Sequence, residues 1–239
     1  MAIPKPKPSL SKELFLNERI EVMKVVGVSG SSRMNGNTTI IIKTIFEELN
    51  KAGIETELIQ LADIDIQPCR ACFACKGKRN CVFKNDGFNE VFNSMVEADG
   101  IILGSPVYSA DVSSKMKAFL DRGGVVVATN PGLLKHKVGA AVAAVRRAGG
   151  MTAVDTMNHF MLNKEMIVVG STYWNMVYGR EIGDVMNDEE GMANMRNLGQ
   201  NMAWLINNLK KPLKEIEILL SMAFFKFQIC IPPVMVFGF

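Results

Sequence analysis

Four of the five cysteines in this 239-residue chain, Cys69, Cys72, Cys75 and Cys81, are separated by gaps of two, two and five residues. Thiols this crowded need a chemical reason. Cysteines two residues apart can hardly all pair with one another, and disulfides need oxidising surroundings, so a bridged framework is set aside. A structural zinc site draws its ligands from two C-x-x-C knuckles separated by a longer loop; here there is one continuous knuckle. Three cysteines at two-residue gaps, closed by a fourth, let a short loop wrap a cubane so that each thiolate reaches a different iron, as in a similar run of bacterial ferredoxins. A [4Fe–4S] cluster on Cys69, Cys72, Cys75 and Cys81 therefore leads, over zinc and over unmetallated thiols. The run departs from the ferredoxin pattern in its last gap and in having no proline after Cys81. Cys230, in apolar company, reads as a small buried hydrophobe.

A second chemistry lies upstream. Lys24 to Ser29 is a β-branched run suited to a buried parallel strand, and it leads into Gly30-Ser31-Ser32-Arg33-Met34-Asn35-Gly36-Asn37-Thr38. The segment that follows carries Ile41, Ile45 and Leu49 on one helical face. The loop thus delivers backbone N–H groups and a helix N-terminus to one spot, which suits a phosphate. It lacks the lysine of a Walker loop and does not read G-x-G-x-x-G, so triphosphate and dinucleotide fingerprints fail.

The elements that must position these groups follow in order. Ile54 to Leu61 reads as a second strand, followed by the cysteine loop and a helix over Phe88 to Val96. Gly100 to Gly104 is a third strand, ending at Ser105-Pro106-Val107-Tyr108-Ser109-Ala110, and an amphipathic helix begins at Lys115. Lys137 to Val145 is a fourth strand, ending at Arg146-Arg147-Ala148-Gly149-Gly150; helix Thr152 to Leu162 then leads to a fifth strand, Met166 to Val169. Met192, Met195, Leu198, Met202, Leu205 and Leu209 form the apolar stripe of a last helix, and those methionines read as core. Strands alternating with helices imply an α/β fold with a parallel sheet covered on both faces. Ligands in such sheets sit at the carboxyl ends of the strands, where the loops after the first, third and fourth strands lie.

The length suits one large domain. Net charge is +3, with lysines and arginines scattered, which gives weak grounds for nucleic-acid binding. Residues 1–22 read as a mobile Lys/Pro-rich leader without the apolar core of a signal peptide, so a cytoplasmic protein is expected. Residues 211–239 end in an apolar tail broken by Lys226 and Pro232-Pro233. It makes a poor membrane span, and packing against this domain or a partner subunit is preferred. His136 and His159 sit in no recognisable arrangement with a nucleophile, and no residue stands out as a proton-transfer catalyst.

Val26 to Thr38, Cys69 to Cys81, Ser105 to Asp121 and Arg146 to Gly150 together resemble the iron–sulfur flavoproteins, a branch of the flavodoxin-like NAD(P)H-dependent FMN reductases. The resemblance covers residues 24–210 and leaves leader and tail unexplained. It implies a flavodoxin-like three-layer sandwich with a five-stranded parallel sheet of order 2-1-3-4-5, forming an FMN-binding domain over residues 23–210. By the same resemblance Ser29, Ser31, Ser32, Arg33, Asn35, Asn37 and Thr38 form the FMN phosphate loop. Pro106, Val107 and Tyr108 lie along the flavin ring. Arg146, Ala148, Gly149 and Gly150 make the third flavin loop, with Arg146 either offsetting negative charge at flavin N1 or simply solvated. Tyr173 and Trp174 either cover the flavin from a neighbouring subunit or pack.

The expected protein is an FMN-dependent oxidoreductase coupling two-electron flavin chemistry to one-electron transfer through the cluster. NAD(P)H is a candidate donor, and a ferredoxin or a quinone-like small molecule a candidate partner, in a homodimer or homotetramer. Two rivals stand beside this reading. One is a cluster-free NAD(P)H-dependent FMN, quinone or nitro-compound reductase; the other is a non-enzymatic binding module with a zinc knuckle.

Overall fold

The computed structural model describes residues 22–209. The expected leader, apart from Val22, and the expected tail with Cys230 lie outside these residues. Among the described residues there are six strands: β1 (Lys24–Ser29), β2 (Glu55–Gln60), β3 (Gly100–Pro106), β4 (Val138–Val145), β5 (Ile167–Val168) and β6 (Met176–Tyr178). Five helices connect or follow them: α1 (Asn37–Lys51), α2 (Phe88–Glu97), α3 (Ser114–Thr129), α4 (Gly150–Leu162) and α5 (Glu189–Leu209). All strand pairs are parallel in the order β2-β1-β3-β4-β5, the flavodoxin-like order, with β6 also bonded to β4.

Alternation along the strands divides two cores, because successive side chains leave opposite faces of a sheet. Val25, Ile102, Ala140 and Val142 face α1 and α5, where they meet Ile41, Ile45, Leu49, Met195 and Leu198. Val26, Ile101, Leu103 and Ala141 face α2, α3 and α4, where Phe88, Phe92, Phe119 and Met157 pack. The expected methionine stripe of α5 is core at Met192, Met195 and Met202, but its last member, Leu209, is exposed and Ile206 is buried in its stead.

The fifth strand differs from expectation. Only Ile167 and Val168 pair with the start of β4, at Val138 and Gly139; the chain then leaves the sheet and returns as β6 beside Ala143 to Val145. Side chains hold this excursion open. Ser171 Oγ donates to Tyr173 O at 2.7 Å, while Asn194 Oδ1 accepts from Tyr173 N and its Nδ2 donates to Trp174 O. These polar bonds, one within the excursion and two to Asn194 on α5, replace continued pairing, and the chain runs on to Gly179 at the carboxyl end of the sheet.

Candidate functional site

A cavity of about 370 Å³ opens at the carboxyl ends of the strands. The β1–α1 loop supplies one wall through Ser31, Arg33, Asn37 and Thr38. Ser31 Oγ accepts from Arg33 N at 3.0 Å and donates to Arg33 O at 3.2 Å, which curls the loop tightly. Gln60, at the end of β2, ties the loop to the sheet by accepting from Asn35 N at 2.9 Å and Thr39 Oγ1 at 2.8 Å. Gly36 caps α1 without a side-chain bond. The N–H groups of Asn37 and Thr38 therefore open the helix with no residue four positions back to receive them. Thr38 Oγ1 is buried and has no hydrogen-bond partner among the described residues. An orphaned hydroxyl beside a helix N-terminus fits a phosphate, which would accept from both.

The second wall is Pro106, Val107 and Tyr108. Tyr108 and Asp111 exchange backbone bonds of 2.8 and 3.0 Å around Ser109 and Ala110, both with positive φ. This is the backbone of a type I′ turn built without glycine. Asp111 anchors it by accepting from Thr156 Oγ1 on α4 at 2.7 Å. Gly149 explains itself against this turn: its φ is 83°, and a Cβ there would lie 2.8 Å from Ala110 Cα. The third loop can thus press directly on the second.

Of the residues expected to bind the flavin, Ser31, Arg33, Asn37, Thr38, Pro106, Val107, Tyr108 and Arg146 line this cavity. Ser29, Ser32, Asn35, Ala148, Gly149 and Gly150 do not. Ser29 is buried at the end of β1, with Thr39 Oγ1 at 3.4 Å, and Gly150 is buried where a Cβ would meet Val145 and Met176. Ser32, Asn35 and Ala148 are exposed. Tyr173 and Trp174 are exposed as well and lie outside this cavity. A further wall, Gly179-Arg180-Glu181, contains none of the residues expected from the sequence. Asn37 clasps it, its Nδ2 donating to Glu181 O and its Oδ1 accepting from Gly183 N, each at 2.8 Å. Had the resumption of the edge strand been recognised, the rule that ligands sit at strand carboxyl ends would have pointed there. Arg33, Arg146 and Arg180 against Glu181 leave the cavity with an excess of positive charge.

The cysteines occupy a different place, along the flank of α3. All four line a second cavity of about 90 Å³. Lys115, Arg122 and Thr129 recur at seven-residue steps, so they share one face of α3. Each holds a different part of the segment from Leu61 to Phe83. Lys115 Nζ donates to the carbonyls of Leu61, at 2.8 Å, and Ile64, at 3.2 Å. Arg122 Nη2 donates to Phe83 O at 2.7 Å and its Nε to Cys81 Sγ at 3.1 Å, while Nη1 pairs with Asp86. Thr129 Oγ1 stands 3.3 Å from Cys75 Sγ. Asn130, just past the helix, donates to Cys75 O at 3.0 Å and accepts from Arg79 N at 2.9 Å.

These ties leave the four thiols unequal. Cys75 and Cys81 are buried and belong to the core beneath α3, whereas Cys69 is half-buried and Cys72 exposed. Ala71, Phe73 and Arg79 all have positive φ, which costs about 1–2 kcal/mol per residue and coils the loop around its sulfurs. Among the described residues no three His, Cys, Asp or Glu side chains stand in metal-holding geometry. The chemistry of the donor set nonetheless fits a cluster: four thiols on one cavity, and a buried cation donating to a sulfur. Burial pushes the Asp86 carboxyl up, but Arg122 and the N–H groups of Gln67 and Phe88 outweigh it and hold the carboxyl below the usual range.

Residues 23–181 match the family model of the NADPH-dependent FMN reductases. The chain belongs to that family. It is 40% identical over 196 residues to an iron–sulfur flavoprotein of Methanocaldococcus jannaschii, covering 79% of this chain and 100% of that relative. It is 36% identical over 150 residues to an iron–sulfur flavoprotein of Methanosarcina thermophila, covering 62% of this chain and 78% of the relative. Among solved structures, RosB with its bound 8-demethyl-8-formylriboflavin-5′-phosphate intermediate superposes with a TM-score of 0.65 at 16% identity, over 91% of each chain. That likeness shows the fold. The sequence relatives place the chain in the iron–sulfur flavoprotein branch of its family, and it is an FMN-binding, flavin-dependent oxidoreductase.

Proposed function

We propose that this flavoprotein holds FMN in the cavity at the strand ends, holds a [4Fe–4S] cluster on Cys69, Cys72, Cys75 and Cys81, and moves electrons between the two. The observation that carries the cluster half is the convergence of all four thiols on one cavity with Arg122 donating to Cys81. The sequence relatives, themselves iron–sulfur flavoproteins, support it. When bound, the flavin supplies two-electron chemistry toward a hydride donor or quinone-like acceptor, and the cluster passes electrons singly.

The residues of the chain bind and orient. Ser31, Arg33, Asn37, Thr38 and the N-terminus of α1 hold the phosphate, and Thr38 Oγ1 gains the partner it lacks. Pro106, Val107 and Tyr108 set the plane of the ring. Arg146 offsets the negative charge that reduction places on it. Ser29 and Gly150 act where strand β1 ends and helix α4 begins, and Ser32, Asn35, Ala148 and Gly149 act through the backbone shape of their loops. A homodimer or homotetramer would bring the exposed Tyr173 and Trp174 against a neighbouring subunit. NAD(P)H is the proposed two-electron donor and a ferredoxin-like carrier the one-electron partner, in a cytoplasm that keeps the thiols reduced.

Anaerobic reductive titration of the whole protein tests this. Uptake of about three electron equivalents per protomer, two by flavin and one by cluster, is expected. Uptake of about two, all of it accounted for by flavin bleaching, contradicts the cluster.

A further inference from the structure

Arg122 is 2% exposed and is flanked on α3 by the buried Phe119, Gly123 and Val126. A guanidinium in such surroundings is strongly unfavourable unless its donors are met. They are met by Asp86, Gln67 O, Phe83 O and Cys81 Sγ, with the guanidinium carbon 4.4 Å from the centre of the Phe88 ring. A residue needed only to clamp two loop carbonyls and a carboxylate has no reason to aim Nε at sulfur. A neutral thiol is a weak acceptor, whereas a thiolate accepts a charge-assisted bond.

Cys81 is also fixed through its backbone. Its N–H donates to Asn89 Oδ1 and its carbonyl accepts from Asn89 Nδ2, both at 3.0 Å. The wide last gap and the missing proline leave the fourth cysteine without a local constraint, and Asn89 and Arg122 supply one from outside the loop.

We propose that Arg122 is the positioning residue of the cysteine loop, holding the Cys81 sulfur as an iron ligand and raising the reduction potential of the cluster through its buried hydrogen bond. The proposal rests on the cluster reading above. Reduction adds negative charge to the cluster, and a buried cation donating to one of its sulfurs favours that state. Asp86 opposes the effect by partly neutralising the same cation. Loss of Arg122 and neutralisation of Asp86 therefore shift the potential in opposite directions. A purely structural clamp predicts otherwise, because both changes break one ion pair.

The test uses the full chain, purified and reconstituted anaerobically, as wild type, Arg122→Gln, Arg122→Lys and Asp86→Asn. Cluster potential is read by EPR-monitored titration with the flavin potential as internal control, and iron loss by transfer to a chelator. Arg122→Gln is expected to lower the cluster potential, leave the flavin potential unchanged and speed iron loss about 10-fold or more. Arg122→Lys should fall between wild type and Arg122→Gln, and Asp86→Asn should raise the potential. Should Arg122→Gln fail to fold, the opposite signs of Arg122→Lys and Asp86→Asn decide. Shifts of the same sign, or none, in protein holding about four irons overturn the role of Arg122 alone. Wild-type protein that takes up no iron overturns the cluster reading and this inference with it.

Discussion

The cavity at the strand ends and the cysteine loop are built on different principles. The cavity gathers groups from loops that the topology delivers to one end of the sheet, and α3 supports it only through its N-cap, which ties the start of the β1–α1 loop. There Ser113 accepts from Met116 N as N-cap and donates to Gly30 O at 2.6 Å. The cysteine loop is a single segment fastened along the side of α3 by Lys115, Arg122, Thr129 and Asn130. Topology positions the first site, and side chains at two-turn spacing position the second. A substitution in one region should thus leave the other intact.

The largest separation comes from Cys72→Ala. Iron should fall from about four per protomer to near zero while FMN stays bound, measured as iron and flavin on one sample. Full iron in that variant would refute the ligand assignment. Gly149→Ala should do the reverse. Its φ of 83° and the 2.8 Å approach to Ala110 Cα mean that the third loop must shift. A loss of about 1–3 kcal/mol of stability, with weaker flavin binding and unchanged iron, is expected from thermal melts and FMN titration.

How much of this was legible in the sequence follows the same division. The strands, their parallel alternation with helices and the small-residue loop from Gly30 to Thr38 could be read, because hydrophobic runs punctuated by small-residue loops encode them locally; the order of the sheet came from the family resemblance. The Gly179–Glu181 wall could not, since β6 is only Met176–Tyr178 and follows a side-chain-held excursion. Nor could the anchoring of the cysteines. Lys115, Arg122 and Thr129 look like unrelated polar positions until α3 is known to run unbroken from Ser114 to Thr129 and to face the cysteine segment.

Smaller effects sharpen the comparison. Thr38→Val removes a hydroxyl that has no partner among the described residues and that would gain one from phosphate under the proposed function. FMN binding should weaken by about 1.5 kcal/mol, roughly tenfold, while the apo protein melts no lower than wild type. Equal destabilisation of apo and flavin-bound protein would show that the hydroxyl serves the fold.

The smallest effect is in acid. The Asp86 carboxyl titrates lower in the folded chain than in the unfolded one, because Arg122 and two backbone N–H groups outweigh its burial. Its contribution to stability is present above the unfolded value and is lost as pH falls through the folded one. Denaturant melts of the apo protein should therefore weaken below the ordinary carboxyl value of 3.8, and Asp86→Asn should flatten that part of the profile. An unchanged slope in the variant would remove Asp86 from the account.

The most direct test is a visible spectrum of anaerobically purified whole protein, with iron, sulfide, zinc and FMN quantified on the same sample. The account predicts a flavin spectrum on a broad iron–sulfur band, with about four irons and four sulfides per FMN and no zinc. Flavin without iron after attempted reconstitution, or zinc in the cysteine loop, would contradict it.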